Sequence, residues 1–248
     1  MPGTLQIPYS TPYETGLKQL HAVGQKAETP DGSIFRYTQM GATLGVANKL
    51  YQSSIPIGDW ITQVHTVAIV VGDTEISHKT ASTTFVANEA AGGTLVLEET
   101  LDLGHIYRVK SNIATAGAET IMQLEDGVTV QKEMDVAANN VLTFIKNPWK
   151  DVIISPAGIN SAPNAGIPRI IIAIAAFGWL QTRGPASCLI DSGAPAVLLG
   201  NSIRGSESIA GAVALSDEVA GINEYQIVGY AMETAPDADF GHIFLQIE

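Results

Sequence analysis

Cysteine is nearly absent from this sequence, because Cys188 is the only one among 248 residues. A single cysteine cannot form an intramolecular disulfide, and this usage is typical of a protein made in a reducing cytosol. It cannot supply a C-x-x-C zinc site either. No H-x-H or H-E-x-x-H spacing links the five histidines, which are His21, His65, His78, His105 and His242. We therefore expect neither a metal site nor another cofactor.

Lysine and arginine are scarce, with 13 of them against 25 aspartate and glutamate residues and a net charge of -12. The tightest basic groupings are Arg108 with Lys110 and Lys146 with Lys150. Nucleic-acid binding needs clustered cations that replace phosphate counterions, so we expect no nucleic-acid partner. Residues 205–248 contain no lysine or arginine but eight acidic residues. This stretch predicts a solvated acidic face, or alternatively a surface that steers the protein toward a basic partner.

No apolar run in the sequence is long enough to cross a bilayer. The most apolar segment, IIIAIAAFGWL at 170–180, has 11 residues, whereas a membrane helix needs about 20. We therefore expect no membrane partner. With 46% hydrophobic residues, the chain can nevertheless bury a globular core.

Glycine and β-branched residues dominate the local patterns, and they favour short strands with tight turns. Alternation of apolar and polar residues is clear in SIFRYTQM at 33–40 and recurs from 60 to 155. The pair Asp126-Gly127 predicts a hairpin between TIMQLE and VTVQKE. The sequence thus predicts an all-β fold of two stacked sandwich-like or barrel-like modules with an extended N-terminal arm. His65, His78 and His105 lie in strand patterns, which favours hydrogen-bonded structural roles.

The patterns divide the chain into five parts. Residues 1–32 are predicted to form the arm, and residues 33–58 to form strands that pair with the C-terminal module. Residues 59–155 are predicted to form a central β domain. A Pro-rich linker over 156–169 precedes the C-terminal barrel-like module at 170–248. The pairing of early and late strands is indicated by a shared F-x-aromatic-x-Q pattern, FRYTQ in the early part and FGWLQ in the late part.

The arm contains four of the 12 prolines and one short helix candidate, GLKQLHAVG. Such a segment cannot bury enough apolar area to offset its ordering entropy unless it lies on another surface. We expect Ile7, Tyr9, Tyr13 and Leu17 to contact that surface. It belongs either to a partner or to the chain itself, and the sequence leaves both open.

The stretch CLIDSGAPAVLLG contains the Asp191-Ser192-Gly193 motif of a retroviral-type aspartic protease. Such an enzyme needs two aspartates that share a proton, and a single motif requires a dimer. The downstream context is turn-rich, and Asp, Ser and Gly also build ordinary turns, with Gly193 at positive φ. Neither Ser187 nor Ser192 lies in a G-x-S-x-G elbow. We therefore predict a turn and no catalytic residue.

As a whole, three stretches resemble the head decoration, or cement, proteins of phages. They are DGSIFRYTQMGATLGVANKL, GIPRIIIAIAAFGWLQTRGPASCLI and QIVGYAMETAPDADFGHIFLQIE. The resemblance rests on an F-x-Y strand, a G-W-x-Q-x-x-G strand and a closing V-G-x-A pair of strands. It implies a virion protein that binds the outer face of an assembled icosahedral capsid.

The resemblance further implies the major capsid protein as partner, a homo-oligomer with a trimer favoured, and assembly in the host cytoplasm. It supplies no catalytic residue. An alternative from another class is a β-sandwich binding module of a phage tail or spike that contacts host glycan. That reading requires exposed aromatics converging on a groove, and the candidates are Trp60, Trp149 and Trp179. The third functional hypothesis is the retroviral-type aspartic protease with the Asp191-Ser192-Gly193 motif.

Overall fold

The computed structural model describes residues 3–99, 103–193, 196–216, 226–234 and 237–248. Strands make up 41% of the structure and helical residues 3%, which confirms the all-β prediction. No helix in these ranges is long and apolar enough to span a membrane. The chain divides into two compact units, one formed by Met1–Ile55 with Pro148–Glu248 and the other by Pro56–Asn147.

The described residues contain two 3-10 helices, Thr11–Tyr13 and Gly58–Trp60, and 17 strands. The strands are β1 (Leu5–Gln6), β2 (Lys26–Glu28), β3 (Ile34–Gln39), β4 (Tyr51–Gln52), β5 (Gln63–Val64), β6 (Glu75–Lys79), β7 (Thr94–Glu99), β8 (Leu103–Asn112), β9 (Glu119–Leu124), β10 (Val141–Ile145), β11 (Ile153–Ile154), β12 (Asn164–Pro168), β13 (Phe177–Ile190), β14 (Ser202–Gly205), β15 (Val213–Leu215), β16 (Ile227–Ala231) and β17 (Asp239–Gln246).

The first unit is organised around β13, which is its longest strand. The first half of β13 pairs antiparallel with β3, and its second half pairs antiparallel with β17. Five strands close a ring, because β13 pairs with β15, β15 with β14, β14 with β16, β16 with β17, and β17 again with β13. The interior of this barrel holds a cluster of buried side chains that includes Cys188, Ile203, Val228 and Leu245.

The two F-x-aromatic-x-Q segments lie side by side in this sheet. Because β3 and β13 are antiparallel, Phe177 pairs with Gln39, Trp179 with Tyr37, and Gln181 with Phe35. The aromatic rings pack together, with the Tyr37 and Trp179 centroids 5.0 Å apart in an edge-on arrangement. The repeated pattern therefore marks two directly paired strands.

A bulge at Gln181 and Arg183 marks the point where β13 changes partners. Arg183 pairs with Ile34 of β3 and also with Gln246 of β17. The buried Gln181 amide donates to the carbonyls of Arg183 at 3.0 Å and Pro185 at 2.9 Å. Its oxygen accepts a bond from Arg169 Nε at 3.0 Å. One side chain thus satisfies the backbone groups that the bulge removes from the ladder.

The second unit is a six-stranded antiparallel sheet with the order β5-β10-β7-β8-β9-β6. Its core contains a ring stack of Trp60 on Phe85, with centroids 3.9 Å apart, and Phe144 packs edge-on against both. The Asp59 carboxylate holds the segment at Ser82 and Thr83 by accepting hydrogen bonds from the backbone amides and hydroxyls of both residues.

The domain boundaries differ from the predicted ones. The second unit spans residues 56–147, whereas the central domain was placed at 59–155. Residues 148–155 belong to the first unit, because β11 pairs with β4. The predicted linker at 156–169 is also wrong, since it contains β12, which pairs with β4 and β13 and is buried along its length. A proline-rich composition concealed a strand whose prolines lie outside or at its end.

The predicted hairpin at Asp126-Gly127 does not form. Gly127 has a φ of 78°, as a turn residue should, but residues 128–133 are not a strand. Strand β9 pairs with β6 and β8 instead. The backbone of Val130 bonds to Gly72 and Asp73. The pairing of β9 with β6 and β8 therefore overrides the local turn signal.

Replacement of Gln181 by leucine should destabilise the first unit. The variant has a side chain of similar size but leaves the carbonyls of Arg183 and Pro185 and the Nε of Arg169 without this partner, which costs roughly 1–3 kcal/mol. Chemical denaturation monitored by circular dichroism measures the change. Gln123→Leu is the matched control, because Gln123 is an exposed strand residue, and we expect a change within about 0.5 kcal/mol. Equal stability of the two variants would contradict the role of Gln181.

The stability of the second unit should fall in acid because of His78. This ring is fully buried and packs edge-on against Phe85 at 5.8 Å, and burial lowers its pKa to about 4 from a usual 6.5. The unfolded state therefore binds the proton more tightly, so stability is complete above pH 6.5 and is lost as the pH falls toward 4. The loss amounts to about 3 kcal/mol.

Urea unfolding at several pH values between 4 and 7 tests this expectation. His78→Leu should remove most of the pH dependence in that window, because leucine does not titrate. His242→Gln serves as the control, since His242 is exposed. An identical pH profile for wild type and His78→Leu would show that other groups cause the acid effect.

Candidate interaction surface

Ile7, the first predicted contact residue, lies in the core of its own chain. It packs in a buried cluster with Ala27, Phe35, Trp179 and other side chains, and its amide donates to the Glu28 carbonyl at 2.9 Å. β1 pairs in parallel with β2, and β2 pairs with β3. Of the two surfaces that the sequence left open for residues 1–32, Ile7 and β2 therefore lie on the chain itself. Strand β3 offers the backbone partners, since β2 pairs with β3 and β1 with β2.

The other three predicted contact residues are exposed. The exposed fraction is 54% for Tyr9, 52% for Tyr13 and 80% for Leu17, and Leu20 in the same segment is 70% exposed. We call these four residues the N-terminal surface. Sequence reasoning missed Leu20, because the GLKQLHAVG segment was interpreted as a helix. The sequence did contain a signal for Leu20, because it is the second large apolar residue of this segment and only Lys18 and Gln19 separate it from Leu17.

The N-terminal surface is fixed to the first unit although its side chains point outward. Gly16 exchanges two backbone bonds with Phe177, at 3.0 and 2.8 Å. The amide of Leu20 donates to the Tyr37 hydroxyl at 3.0 Å. The ring of His21 contacts Tyr37 and Trp179, with centroids 5.1 and 5.4 Å away. These bonds replace the helical ones, which explains why the predicted helix is not formed.

Large apolar side chains are exposed elsewhere in the protein too, but here all four fall within residues 9–20. A core would normally take up large apolar residues, whereas here the backbone is held so that two tyrosines and two leucines face solvent. Grouped exposed apolar side chains are typical of protein interaction sites. Because the segment is already ordered by its own unit, binding there would not bear the cost of ordering a free arm.

The Asp191 carboxylate lies at the end of β13, in the connection toward β14. Its Oδ2 accepts a bond from the Ser206 hydroxyl at 2.5 Å, and the Ser206 oxygen accepts bonds from the amides of Ser208 and Ile209. The Ser192 amide donates to Asp237 at 2.9 Å. Asp191 therefore holds a second turn in place through Ser206. Residues 194–195 lie outside the described residues.

Gly193 does not have the positive φ that the sequence predicted. Its φ lies outside the left-handed region, and a Cβ there would have no neighbour closer than 3.8 Å. At Asp191 and Ser192 the chain is held by side-chain bonds with Ser206 and Asp237.

The remaining chemical candidates are dispersed. Cys188 is buried in the barrel, and burial raises the pKa of its thiol to about 12. His65 contacts the Val67 carbonyl at 2.8 Å, and His105 contacts the Tyr107 hydroxyl at 3.2 Å. Among the residues that the structure describes, no group of three or more His, Cys, Asp or Glu side chains is placed to hold a metal ion.

Asp191→Asn should change stability by less than about 0.5 kcal/mol, because asparagine keeps an acceptor for the Ser206 hydroxyl. Asp191→Ala should cost about 1–2 kcal/mol, since that hydroxyl loses its acceptor. Thermal unfolding measures both. We also expect no peptide cleavage by the wild type at pH 4 to 6. Cleavage that disappears in Asp191→Asn would instead identify a catalytic aspartate.

No match to the chain was found among protein-family models, curated proteins or solved structures.

Proposed function

We propose that this protein is a phage head decoration protein, which binds the outer surface of an icosahedral capsid and stabilises it. The observation that carries the proposal is the N-terminal surface, formed by Tyr9, Tyr13, Leu17 and Leu20. The partner is the major capsid protein, and the bound form is a homo-oligomer, with a trimer favoured. The resemblance of the strand motifs to decoration proteins supports the same assignment.

The N-terminal surface fits this role on energetic grounds. Burial of apolar area contributes about 25 cal/mol per Å2, so a few hundred Å2 over these four side chains supply several kcal/mol. Many copies bound to one shell add this gain at every site. The net charge of -12 keeps unbound copies apart in solution until they meet the capsid.

The alternative of a glycan-binding tail or spike module has less support. Trp60 and Trp179 are buried in two different core clusters. Trp149 is partly buried, with the Arg36 guanidinium 4.6 Å from its ring centre. These three tryptophans therefore do not form the exposed aromatic platform that this alternative requires.

Cosedimentation with empty capsids assembled from the major capsid protein of the same virus tests the proposal. The double variant Tyr9→Ser with Leu17→Ser should bind at least about tenfold more weakly, which corresponds to 1.4 kcal/mol. Its thermal midpoint should stay close to that of the wild type, because both side chains are exposed.

Ile106→Ser provides the matched control for this experiment. Ile106 is also a large exposed apolar residue, but it lies on β8 of the second unit. We expect this variant to cosediment like the wild type. A wild-type protein that does not cosediment, or a double variant that binds as tightly as the control, would overturn the proposal.

A further inference from the structure

The sequence contains two Asp-Gly pairs, Asp31-Gly32 and Asp126-Gly127, and the proposed function uses neither of them. The glycine backbone is similar in both pairs, because φ is 80° at Gly32 and 78° at Gly127. All four residues are exposed. Exposure and glycine conformation therefore do not distinguish the two pairs, whereas their hydrogen bonds do.

In the first pair, the carboxylate and the following amide are both occupied. The Asp31 carboxylate accepts bonds from the hydroxyls of Thr29 at 2.6 Å and Ser33 at 3.0 Å, and from the Ser33 amide at 3.3 Å. The Thr29 bond is the largest cause of a lowered pKa at Asp31. The Gly32 amide donates to the Thr29 carbonyl at 2.9 Å. Neither group can react unless these bonds open.

In the second pair, the amide has no acceptor and the carboxylate is weakly held. The turn bond runs from the Val128 amide to the Glu125 carbonyl at 3.0 Å, one residue beyond the glycine. Among the residues that the structure describes, none accepts a bond from the Gly127 amide, and Lys110 alone bonds the Asp126 carboxylate, at 2.7 Å. Both side chains of this ion pair are largely exposed, and such a pair restrains a side chain only weakly.

We propose that Asp126-Gly127 is a site of spontaneous isoaspartate formation and that hydrogen bonds protect Asp31-Gly32 from the same reaction. The Gly127 nitrogen attacks the side-chain carboxyl carbon of Asp126. A C–N bond forms, the C–OH bond breaks, and the hydroxyl leaves with the amide proton as water. Because glycine has no side chain, the nitrogen is unhindered and the backbone can rotate to close the ring.

Water then reopens the five-membered succinimide ring. Addition of water at the former side-chain carbonyl restores aspartate. Addition at the main-chain carbonyl leaves the chain running through the β-carbon and the side-chain carbonyl, which is isoaspartate. The first step releases one water and the second consumes one, so the reaction needs no oxidant, reductant or other reactant.

The product alters a turn that leads into a bonded segment of the second unit. Isoaspartate adds one carbon to the main chain between β9 and Val130. The Val130 amide donates to the Asp73 carbonyl at 2.8 Å, and its carbonyl accepts a bond from Gly72 at 2.9 Å. The modification also changes the position of the carboxylate that bonds Lys110. It accumulates with the age of each molecule and is independent of the proposed function.

Incubation of the folded protein in water enriched in oxygen-18 tests the proposal, because hydrolysis of the succinimide puts one water oxygen into either product. Trypsin places the two aspartates in separate peptides, 27–36 and 111–132, each with a single aspartate. Mass spectrometry with fragmentation measures the label at each aspartate, and chromatography separates the isoaspartyl form. Asp126 should acquire label at least about tenfold faster than Asp31, which corresponds to about 1.4 kcal/mol. In urea both should acquire it at similar rates, because the protecting bonds are lost.

Asp126→Glu is the matched control, since glutamate keeps the charge beside Lys110 but would have to close a less favourable six-membered ring. It should acquire no label at position 126. Thr29→Val with Ser33→Ala removes two bonds to Asp31 and should accelerate labelling of Asp31 about threefold to tenfold. Thermal unfolding verifies that each variant is folded.

Three results would overturn the proposal. They are a folded protein whose Asp126 stays unlabelled, equal labelling of Asp31 and Asp126 in the folded protein, and a ratio of the two rates that is the same in urea. An unchanged rate at Asp31 in the folded Thr29→Val, Ser33→Ala variant would contradict protection by these bonds.

Discussion

The first unit depends on one side chain, Gln181, at the place where β13 exchanges β3 for β17. A strand that serves two sheet segments must bend, and a bend breaks the regular ladder of backbone bonds. The Gln181 amide supplies those bonds from the side, and Arg169 fixes its orientation. Gly184 has a φ of 99° and lies close to Ser33. A Cβ at position 184 would be only 2.7 Å from the Ser33 hydroxyl oxygen, so glycine allows β13 to pass this residue. The barrel and the pairing of β3 with β13 therefore share one continuous strand.

The N-terminal surface is a consequence of this same strand. The first half of β13 carries Phe177 and Trp179, to which Gly16 and His21 attach. Phe177 and Trp179 belong to the aromatic pairing of β3 with β13. Because the segment is bonded to these core residues, the positions of its exposed tyrosines and leucines are fixed. The residues that hold the segment and the residues that face solvent therefore have different roles within one short stretch of chain.

The sequence was most informative about strand pairing where two paired strands carry the same residue pattern. The FRYTQ and FGWLQ segments are adjacent strands, and their alternation was sufficient to relate distant parts of the chain. It was least informative where a local signal competed with a distant partner. Asp126-Gly127 forms a turn without a hairpin, and residues 156–169 hold a buried strand despite their prolines.

The pairing of β4 with β11 has a consequence for how the chain folds. Tyr51 lies opposite Ile154 and Gln52 opposite Ile153, so the segments that enter and leave the second unit are neighbours in one ladder. If residues 56–147 were unfolded, bringing these segments together would close a long loop, and the entropic cost rises with loop length. Once the second unit has folded, its own structure shortens the effective loop. The inserted unit thereby assists folding of the unit that it interrupts, and the chain's order of synthesis presents it before β11 is made.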